Sequence, residues 1–241
     1  MTTITATTPV EDIARSAPAT IRVFQRHHID FCCTASMPLT EACAARGLDT
    51  ARVLAELQSA LEDDTLDPAE VLASQPLGVI IRHIQAHYHE PLRAELPRLD
   101  AMLARVVERH GARLPDVLPP LRQTFVQLSQ ELLDHMARED EVLFPAIEAL
   151  ETRQATPFTP DLLAHGPIAM MEEDHDAAMA ALRHIRRLTQ GYAPPEWACP
   201  TFRGLYFGLA ELERDMTRHV TLENEVLFRR AAALPAPGRG W

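Results

Sequence analysis

Two histidine-glutamate pairs have the spacing of neighbours on one helical turn. The stretch DHMAREDEVLFPAI places His135 four residues before Glu139, and further along RHVTLENEVLFRRA places His219 four residues before Glu223. Residues four apart on an α-helix are turned by about 40° and raised by about 6 Å, so both side chains of a pair reach the same point. Imidazole nitrogens and carboxylate oxygens are common metal ligands. The spacing therefore predicts that each helix presents two ligands to one metal site.

Both pairs interrupt an apolar stripe, and the chain contains two further stripes of this kind. The chain has four long helical segments, and steps of mostly three and four residues define the inward face of each. On the second segment this face consists of Leu121, Phe125, Leu128, Leu132, His135, Glu139, Val142 and Ala146. The fourth segment gives Phe202, Leu205, Leu209, Leu212, Met216, His219, Glu223 and Val226. The first gives Leu77, Ile81, Ile84, His89, Leu92, Leu96, Leu99 and Leu103, and the third gives Ile168, Met171, His175, Ala178, Leu182 and Ile185. Four histidines and two glutamates thus face the predicted core.

The two glutamates need a positive partner in this core. An ionised carboxylate in an apolar core costs several kcal/mol unless it is paired or bound to metal, and the four stripes contain no lysine or arginine. The separation between His89 and His135 is nearly that between His175 and His219, which indicates a duplicated helix pair. Such a duplication places two metals near a pseudo-twofold axis, each with two histidines, and leaves the two glutamates to bridge them.

Each feature taken alone has an ordinary structural explanation. A single histidine on an apolar stripe, such as His89 or His175, is more often a hydrogen-bonded core residue than a ligand. One His-x-x-x-Glu pair is more often an exposed ion pair, but two copies on core stripes favour shared ligands. His83 and His87 also have a spacing that zinc accepts, yet His87 is rotated far from His89, and a solvated face is predicted for both.

The ligand types favour iron. Imidazole and carboxylate suit iron, manganese or zinc, but two metals with vacant positions are more typical of iron that meets a diatomic gas than of structural zinc. Ferritin-like di-iron bundles use more carboxylates than these helices offer. We predict two iron ions held by His89, His135, Glu139, His175, His219 and Glu223.

The elements that position these residues are predicted to be helices. Aromatic residues make up 5% of the chain, glycines number 9, and the Ala/Leu/Arg/Glu-rich stretches repeat with a period near 3.6, which favours an all-α fold. Proline-rich breaks separate four long helices at residues 77–110, 120–150, 167–190 and 200–233. Their short connections suit antiparallel neighbours in a bundle. Pro91 is predicted to kink the first of them or to release the carbonyl of His87.

A smaller region precedes the predicted bundle. Short helical patterns run from Ile21 to about Leu61, where Gly47 can end one helix and Asp49 or Thr50 can cap the next. The acidic, proline-containing stretch EDDTLDPAE, residues 62–70, is typical of a linker. We therefore divide the chain into a small N-terminal domain, 1–66, and a bundle, 67–241.

Charge and cysteine usage limit the partners and the compartment. A formal net charge of −11 repels phosphate backbones and anionic lipid, which disfavours nucleic acid. The sequence contains neither a signal-peptide pattern nor a run approaching the roughly 18 to 20 apolar residues of a membrane span, so a cytoplasmic protein is expected. The four cysteines lack paired zinc or redox spacings and are expected as thiols. Only the adjacent Cys32 and Cys33 suggest a further role.

Six motifs stand in order along the chain: DFCC, EACAARGLD, AHYHEPLRAELPRL, SQELLDHMAREDEVLFP, MMEEDHDAA and RHVTLENEVLF. In combination they resemble the Repair of Iron Centres family, the YtfE/ScdA-type di-iron proteins, over nearly the whole chain. The resemblance implies a small helical ScdA-like domain before a hemerythrin-like antiparallel four-helix bundle. It also implies that the four histidines are terminal iron ligands and that the two glutamates bridge the irons beside an oxo or hydroxo group. One departure is that Cys32 and Cys33 are followed by Thr34 and Ala35, where the family usually has two glycines.

The function that the resemblance implies is repair of iron-sulfur clusters damaged by nitric oxide or oxidants, through supply of iron. A neutral histidine shell loses metal more readily than a carboxylate-rich one, which suits a donor. Expected partners are damaged iron-sulfur proteins, the gases NO and O2, and a second copy of the chain in a homodimer.

Two other functions stay open. A hemerythrin-like module could sense or carry O2 or NO, and a di-iron enzyme could reduce NO or peroxide. The N-terminal cysteine domain discriminates the carrier from a repair protein, because a simple carrier does not need it, whereas nothing in the sequence excludes the enzyme. Adjacent cysteines scarcely form a low-strain disulfide, since their Cα atoms lie about 3.8 Å apart, so Cys32 and Cys33 are predicted to offer two thiolates together.

Overall fold

The structure is a computed structural model that describes residues 4–17, 20–29, 31, 37–61 and 71–235. Within these ranges the regular elements are helices, and the β-type pairing is one isolated bridge between Pro9 and Pro38. The all-α prediction is confirmed. Cys32, Cys33 and the predicted domain boundary within residues 62–70 lie outside the described residues.

Four short helices form the N-terminal region: α1 (Val10–Ser16), α2 (Ile21–Arg26), α3 (Leu39–Ala44) and α4 (Thr50–Ser59). The predicted punctuation between α3 and α4 is confirmed. Gly47 has a φ of +66°, a conformation that favours glycine, and the side chain of Asp49 accepts a hydrogen bond of 2.8 Å from the backbone N–H of Ala51. Helix α1 was not predicted, because the helical patterns recognised in the sequence begin at Ile21.

Four long helices form the bundle: α5 (residues 77–110), α6 (118–151), α7 (160–188) and α8 (200–232). Contacts along each neighbouring pair establish the antiparallel order. The backbone N–H of Leu77, at the start of α5, donates to Glu151 at the end of α6 over 2.7 Å. In α7 and α8, His175 lies 2.8 Å from Asn224, while Arg186, later in α7, pairs with Glu213, earlier in α8. The predicted antiparallel four-helix bundle is confirmed.

Each bundle helix contains one π-helical segment, in which the backbone hydrogen bonds span five residues instead of four. The segments are Gln85–His89 in α5, Glu139–Leu143 in α6, Ala164–Ile168 in α7 and Leu222–Phe228 in α8. Prolines accompany three of them: Pro91 and Pro145 follow two segments closely, and Pro167 lies inside the third. Proline has no N–H to donate, so a regular α-turn at these points would already lack a backbone hydrogen bond. Widening the turn there therefore costs fewer hydrogen bonds than it would at another residue.

The structure corrects two predictions, one on the buried face of α6 and one on the start of α7. Val142, predicted on the inward stripe of α6, is 47% exposed, whereas Leu143 and Phe144 are buried. The extra residue in the turn moves the inward face forward by one position. Helix α7 begins at Pro160 rather than at Pro167, because Thr159 caps it by accepting from the N–H of Leu162.

Two hydrophobic clusters fill the bundle on either side of its polar residues. The larger joins the middle of the long helices to the N-terminal region and includes Val10, Ile13, Phe24, Leu57, Leu99, Phe125 and Phe202. The smaller fills the opposite end and includes Leu77, Ile81, Leu143, Ile147, Leu163, Leu222 and Phe228. The N-terminal helices therefore pack directly on the bundle. Gly204 in α8 permits this close approach, since a Cβ there would lie 2.3 Å from the Cδ1 atom of Ile21.

Candidate metal centre

All six predicted ligand side chains lie together between the two hydrophobic clusters. Each is at most 2% exposed: His89, His135, Glu139, His175, His219 and Glu223. Helix α5 contributes the first histidine, α7 the third, and α6 and α8 one histidine and one glutamate each. The structure thus brings together every residue of the predicted set.

The π segments place the glutamates and one histidine. Glu139 is the first residue of its segment, Glu223 is the second residue of its own, and His89 is the last of the segment in α5. In α5 the buried stripe steps five residues from Ile84 to His89, across this turn. Wide turns of this kind are frequent at functional sites because they re-aim side chains within an otherwise regular helix.

The six residues form two groups that share both glutamates. One group consists of His89, Glu139, His219 and Glu223, and the other of His135, Glu139, His175 and Glu223, with the ligand atoms of each group within 4.8 Å of one another. Each group takes one histidine from each helix pair, a combination that the sequence alone did not specify. The repeated helices therefore form these two groups only by packing together.

Both carboxylates contact the two groups at once. The Oε2 atom of Glu139 lies 3.3 Å from His89 Nε2 and 3.2 Å from His135 Nε2. In Glu223, Oε1 lies 2.9 Å from His219 Nε2, while Oε2 lies 3.0 Å from His175 Nε2. The two oxygens of Glu223 consequently face different groups.

Several of these atoms have ion-pair distances without hydrogen-bond geometry. Among the described residues, His89 Nε2, both carboxylate oxygens of Glu139 and Oε2 of Glu223 have no hydrogen-bond partner although all are buried. The Nε2 atoms of His135 and His175 face each other at 3.1 Å, and two lone pairs at this distance repel unless a proton or a cation lies between them. Buried, unpartnered donor atoms that converge on one space fit a metal cation.

Protons replace the cation in the metal-free charge balance. Burial opposes the charged form of His89, but the hydrogen bond to Asp140, the close contact with Glu139 and the charges of both glutamates outweigh it and raise its pKa to about 9. Burial likewise opposes charging of His175, yet Glu223 raises its pKa. The pKa of Glu223 is lowered despite full burial, because His219 and His175 stabilise its charge. The carboxylate of Glu223 is thus ionised, with positive charge held against it.

Polar side chains behind the histidines orient three of the four rings. Asp140 Oδ1 lies 3.0 Å from His89 Nδ1, Asp174 Oδ2 lies 3.3 Å from His135 Nδ1, and Asn224 Oδ1 lies 2.8 Å from His175 Nδ1. Such outer partners fix the tautomer and direction of a metal-binding imidazole. The sequence analysis missed all three. Their signal was positional, since Asp140 and Asn224 each directly follow a ligand glutamate and Asp174 directly precedes a ligand histidine.

Aromatic rings close the site on the side of the smaller cluster and beside α8. Phe144 stacks on His89 with ring centroids 5.6 Å apart, and Phe228 stacks on His175 at 6.0 Å. These phenylalanines end the two Glu-Val-Leu-Phe motifs, which explains why the motif occurs twice. Tyr88 stacks on His219 at 4.8 Å.

The remaining histidines lie outside the ligand groups. His83 and His87 stack on each other at 4.0 Å, and His87 Nδ1 contacts the carbonyl of His83. Neither belongs to a metal-binding cluster among the described residues. His184 contacts Arg187 on α7.

No helix in the described ranges has the length and apolar character to span a membrane.

Comparison with known proteins finds two family models that match different parts of the chain. Residues 80–231 match the family model "Hemerythrin HHE cation binding domain", and residues 6–61 match ScdA_N, a domain of unknown function. The chain is 37% identical over 226 residues to the iron-sulfur cluster repair protein YtfE of Escherichia coli and to that of Shigella boydii. It is 36% identical to the Citrobacter koseri protein of the same name. Each alignment covers 93% of this chain and 96% of the relative.

Proposed function

The chain belongs to the hemerythrin-like family of iron-sulfur cluster repair proteins, and on this premise we propose that it repairs clusters damaged by nitrosative or oxidative stress by donating iron. The observation that carries the proposal is the buried pair of ligand groups that share Glu139 and Glu223. Without metal, the two buried carboxylates have only protonated histidines to balance their charge, and a bound cation would neutralise both of them directly. The site is therefore built to hold and release metal.

Two iron ions are the proposed occupants. His89 and His219 would hold one ion, His135 and His175 the other, and both glutamates would bridge them with an oxo or hydroxo group. The two carboxylate oxygens of Glu223 face different ligand groups, which supports a bridging role for this residue. Four imidazoles and two carboxylates suit iron, and the shared, open arrangement differs from the closed tetrahedra of structural zinc.

The protein's own residues explain how iron could be both held and given up. Asp140, Asp174 and Asn224 orient three imidazoles, and Phe144 and Phe228 exclude water from two of them. The ligands are mostly neutral, so two ferrous ions carry twice the charge that the two carboxylates neutralise. This leaves the metal less tightly held than a carboxylate-rich shell would. When bound, iron supplies redox chemistry and open coordination positions.

NO and O2 are proposed as small ligands of the same centre. Each group offers four protein ligands, fewer than the six that octahedral iron accepts, so positions remain for a diatomic molecule. The relatives are named for cluster repair and not for gas transport, which supports repair over a carrier role.

A cytoplasmic location is also proposed. Among the described residues, Cys43 and Cys199 are thiols outside any disulfide, as is usual in a reducing compartment. Damaged iron-sulfur proteins are the proposed partners, on the basis of the relatives' names. The homodimer stays a prediction that the molecular mass in solution would test.

Recovery of a damaged enzyme tests the proposal. An iron-sulfur enzyme inactivated by NO is incubated anaerobically with the iron-loaded protein, and its activity is followed. The expected result is about two irons per chain at the start and reactivation that consumes them. A double variant, His135→Ala with His219→Ala, should neither bind two irons nor reactivate. No recovery with the loaded parent would reject the repair function.

A second variant tests the delivery role of the cysteines. Replacing Cys32 and Cys33 by serine should leave the iron content of the bundle unchanged and impair reactivation, because these thiols are proposed to pass iron to the recipient. Recovery at the parent's rate would reject the delivery role alone.

A further inference from the structure

The two ligand groups differ in how their outer imidazole nitrogens are satisfied. A histidine that binds metal through Nε2 carries a proton on Nδ1, and this N–H needs an acceptor when it is buried. In the group of His135 and His175, Asp174 and Asn224 supply one acceptor each, at 3.3 and 2.8 Å. Both rings of this group are therefore oriented from behind.

The other group has only one such acceptor. Asp140 lies 3.0 Å from His89 Nδ1 and is itself held by Arg93 at 2.6 Å and by Gln85. The Nδ1 atom of His219 is buried and has no hydrogen-bond partner among the described residues. This nitrogen is the one outer imidazole atom of the six-residue site left unsatisfied within the described ranges.

The internal repeat explains the difference. Tyr88 and Asp174 occupy corresponding positions, since each directly precedes the ligand histidine of its own helix. Asp174 reaches His135 of the adjacent helix with a carboxylate oxygen. Tyr88 instead lies flat on His219, with an angle of 2° between the rings. A ring stacked on the face of an imidazole cannot accept an N–H that points outward in the plane of that imidazole.

The same tyrosine separates His219 from a cavity. Tyr88 lines a cavity of about 500 Å3 together with Arg26, Leu92, Glu211 and other residues of α2, α5 and α8. On the opposite side of the site, Asp174 is fixed by Arg138 at 2.8 Å. At the two corresponding positions, His219 therefore has a cavity-lining aromatic ring beside it, whereas His135 has an ion-paired carboxylate.

We propose that the two metal positions are unequal, and that the ion held by His89 and His219 leaves first while the ion held by His135 and His175 is retained. This rests on the proposed function, because it identifies the iron that a repair reaction would receive. An imidazole without an outer partner is free to reorient and is a weaker ligand, and loss of such partners typically lowers metal affinity 10- to 100-fold.

Release kinetics under a chelator test the inequality. The parent is loaded anaerobically with ferrous iron to about two per chain and mixed with an excess of a coloured ferrous chelator. Two phases of equal amplitude are expected, with rates at least about tenfold apart. A single phase that removes both irons at one rate would overturn the proposal.

A matched pair of variants assigns the phases to positions. Asp140→Ala removes the partner of His89 and should accelerate only the fast phase. Asn224→Ala removes the partner of His175, at the corresponding position of the repeat, and should accelerate the slow phase about 10- to 100-fold. The reverse assignment, in which Asp140→Ala alone accelerates the slow phase, would overturn the proposal.

A third variant supplies the missing acceptor. Tyr88→Asp copies the residue that the other repeat has at this position and should slow the fast phase about tenfold or more, while Tyr88→Phe keeps the stacked ring and both rates. Circular dichroism establishes that each variant is folded. If Tyr88→Asp does not fold, the Asp140 and Asn224 pair still decides the question. A folded Tyr88→Asp protein with an unchanged fast phase would count against the role of the unsatisfied nitrogen.

These measurements separate two kinds of failure. Two phases without reactivation of a damaged enzyme would reject the repair function and leave the unequal positions intact. One phase with full reactivation would reject the inequality and leave repair intact.

Discussion

The helix pair α5–α6 and the helix pair α7–α8 are built on one pattern and differ at the points that surround the ligands. Both have a histidine on the first helix, a histidine and a glutamate four residues apart on the second, and a phenylalanine five residues after that glutamate. Both second helices become π-helical at or next to the glutamate. The features common to both pairs are therefore those that aim ligands at the shared centre.

One difference lies directly after the glutamates and another lies further along the same helices. Asp140 in the first pair corresponds to Asn224 in the second, and both accept from an imidazole although only one is charged. Pro145 corresponds to Arg229, yet both helices have the π segment. The wide turn consequently does not depend on proline.

The largest expected effect is the loss of bound iron when either glutamate is replaced, and it tests whether Glu139 and Glu223 each serve both metal positions. Glu139→Ala and Glu223→Ala should each abolish retention of both irons, because each carboxylate belongs to both ligand groups. Iron content per chain after desalting is the measurement.

Three neighbouring changes serve as controls. Glu141→Ala removes an exposed carboxylate two residues from Glu139, and His83→Ala and His184→Ala remove histidines outside the ligand groups. All three should retain about two irons. One iron bound in either Glu139→Ala or Glu223→Ala would mean that the carboxylate serves a single position, and the two halves would no longer be equivalent.

An intermediate effect is expected from the two stacked phenylalanines. Phe144→Ala and Phe228→Ala should each lower the free energy of unfolding by about 3–5 kcal/mol, since both side chains are buried and each leaves a cavity beside a ligand ring. Urea denaturation measures the change. Leu133→Ala, at a position 37% exposed, should cost much less. Values for the two phenylalanines that differ by more than about 2 kcal/mol would break the correspondence between the halves.

The smallest effect is expected on replacing Pro145, and it tests whether proline is needed for the π segment in α6. Pro145→Ala should leave iron content unchanged and alter the free energy of unfolding by less than about 1 kcal/mol, because the corresponding helix keeps its π segment with Arg229. Loss of iron on this substitution would indicate that proline imposes the turn in α6 and that the two segments have different causes.

The burial of the six candidate ligand residues in the core was predictable because their signal in the sequence is strong and local. His135 with Glu139 and His219 with Glu223 combine a four-residue spacing with positions on apolar stripes, and the repeat multiplies that signal. The helix order followed from proline-rich breaks. The confirmed features are thus those that depend on the period of one helix and on chain punctuation.

What escaped prediction depends on deviations from that period and on contacts between helices. A single inserted residue in α6 exposed Val142, and the comparable five-residue step from Ile84 to His89 was present in the sequence but was not interpreted as a π turn. The choice of His219 as the companion of His89 arises from packing between pairs, which no spacing along one helix encodes. The start of α7 was missed because Pro167, a helix breaker in most contexts, lies within its π segment.

The division of the core by a charged layer has a consequence for how the chain opens. The smaller hydrophobic cluster, around Ile81, Ile147 and Phe228, is joined to the larger one through helices that cross the layer of buried histidines and glutamates. In the absence of metal, we expect the part of the bundle around the smaller cluster to unfold as a separate cooperative unit. Its amide hydrogens should then exchange faster than those in the rest of the core. A bound metal pair would couple the two units, so that exchange at both ends reports one global opening. The centre then determines the unfolding cooperativity of the bundle as well as its chemistry.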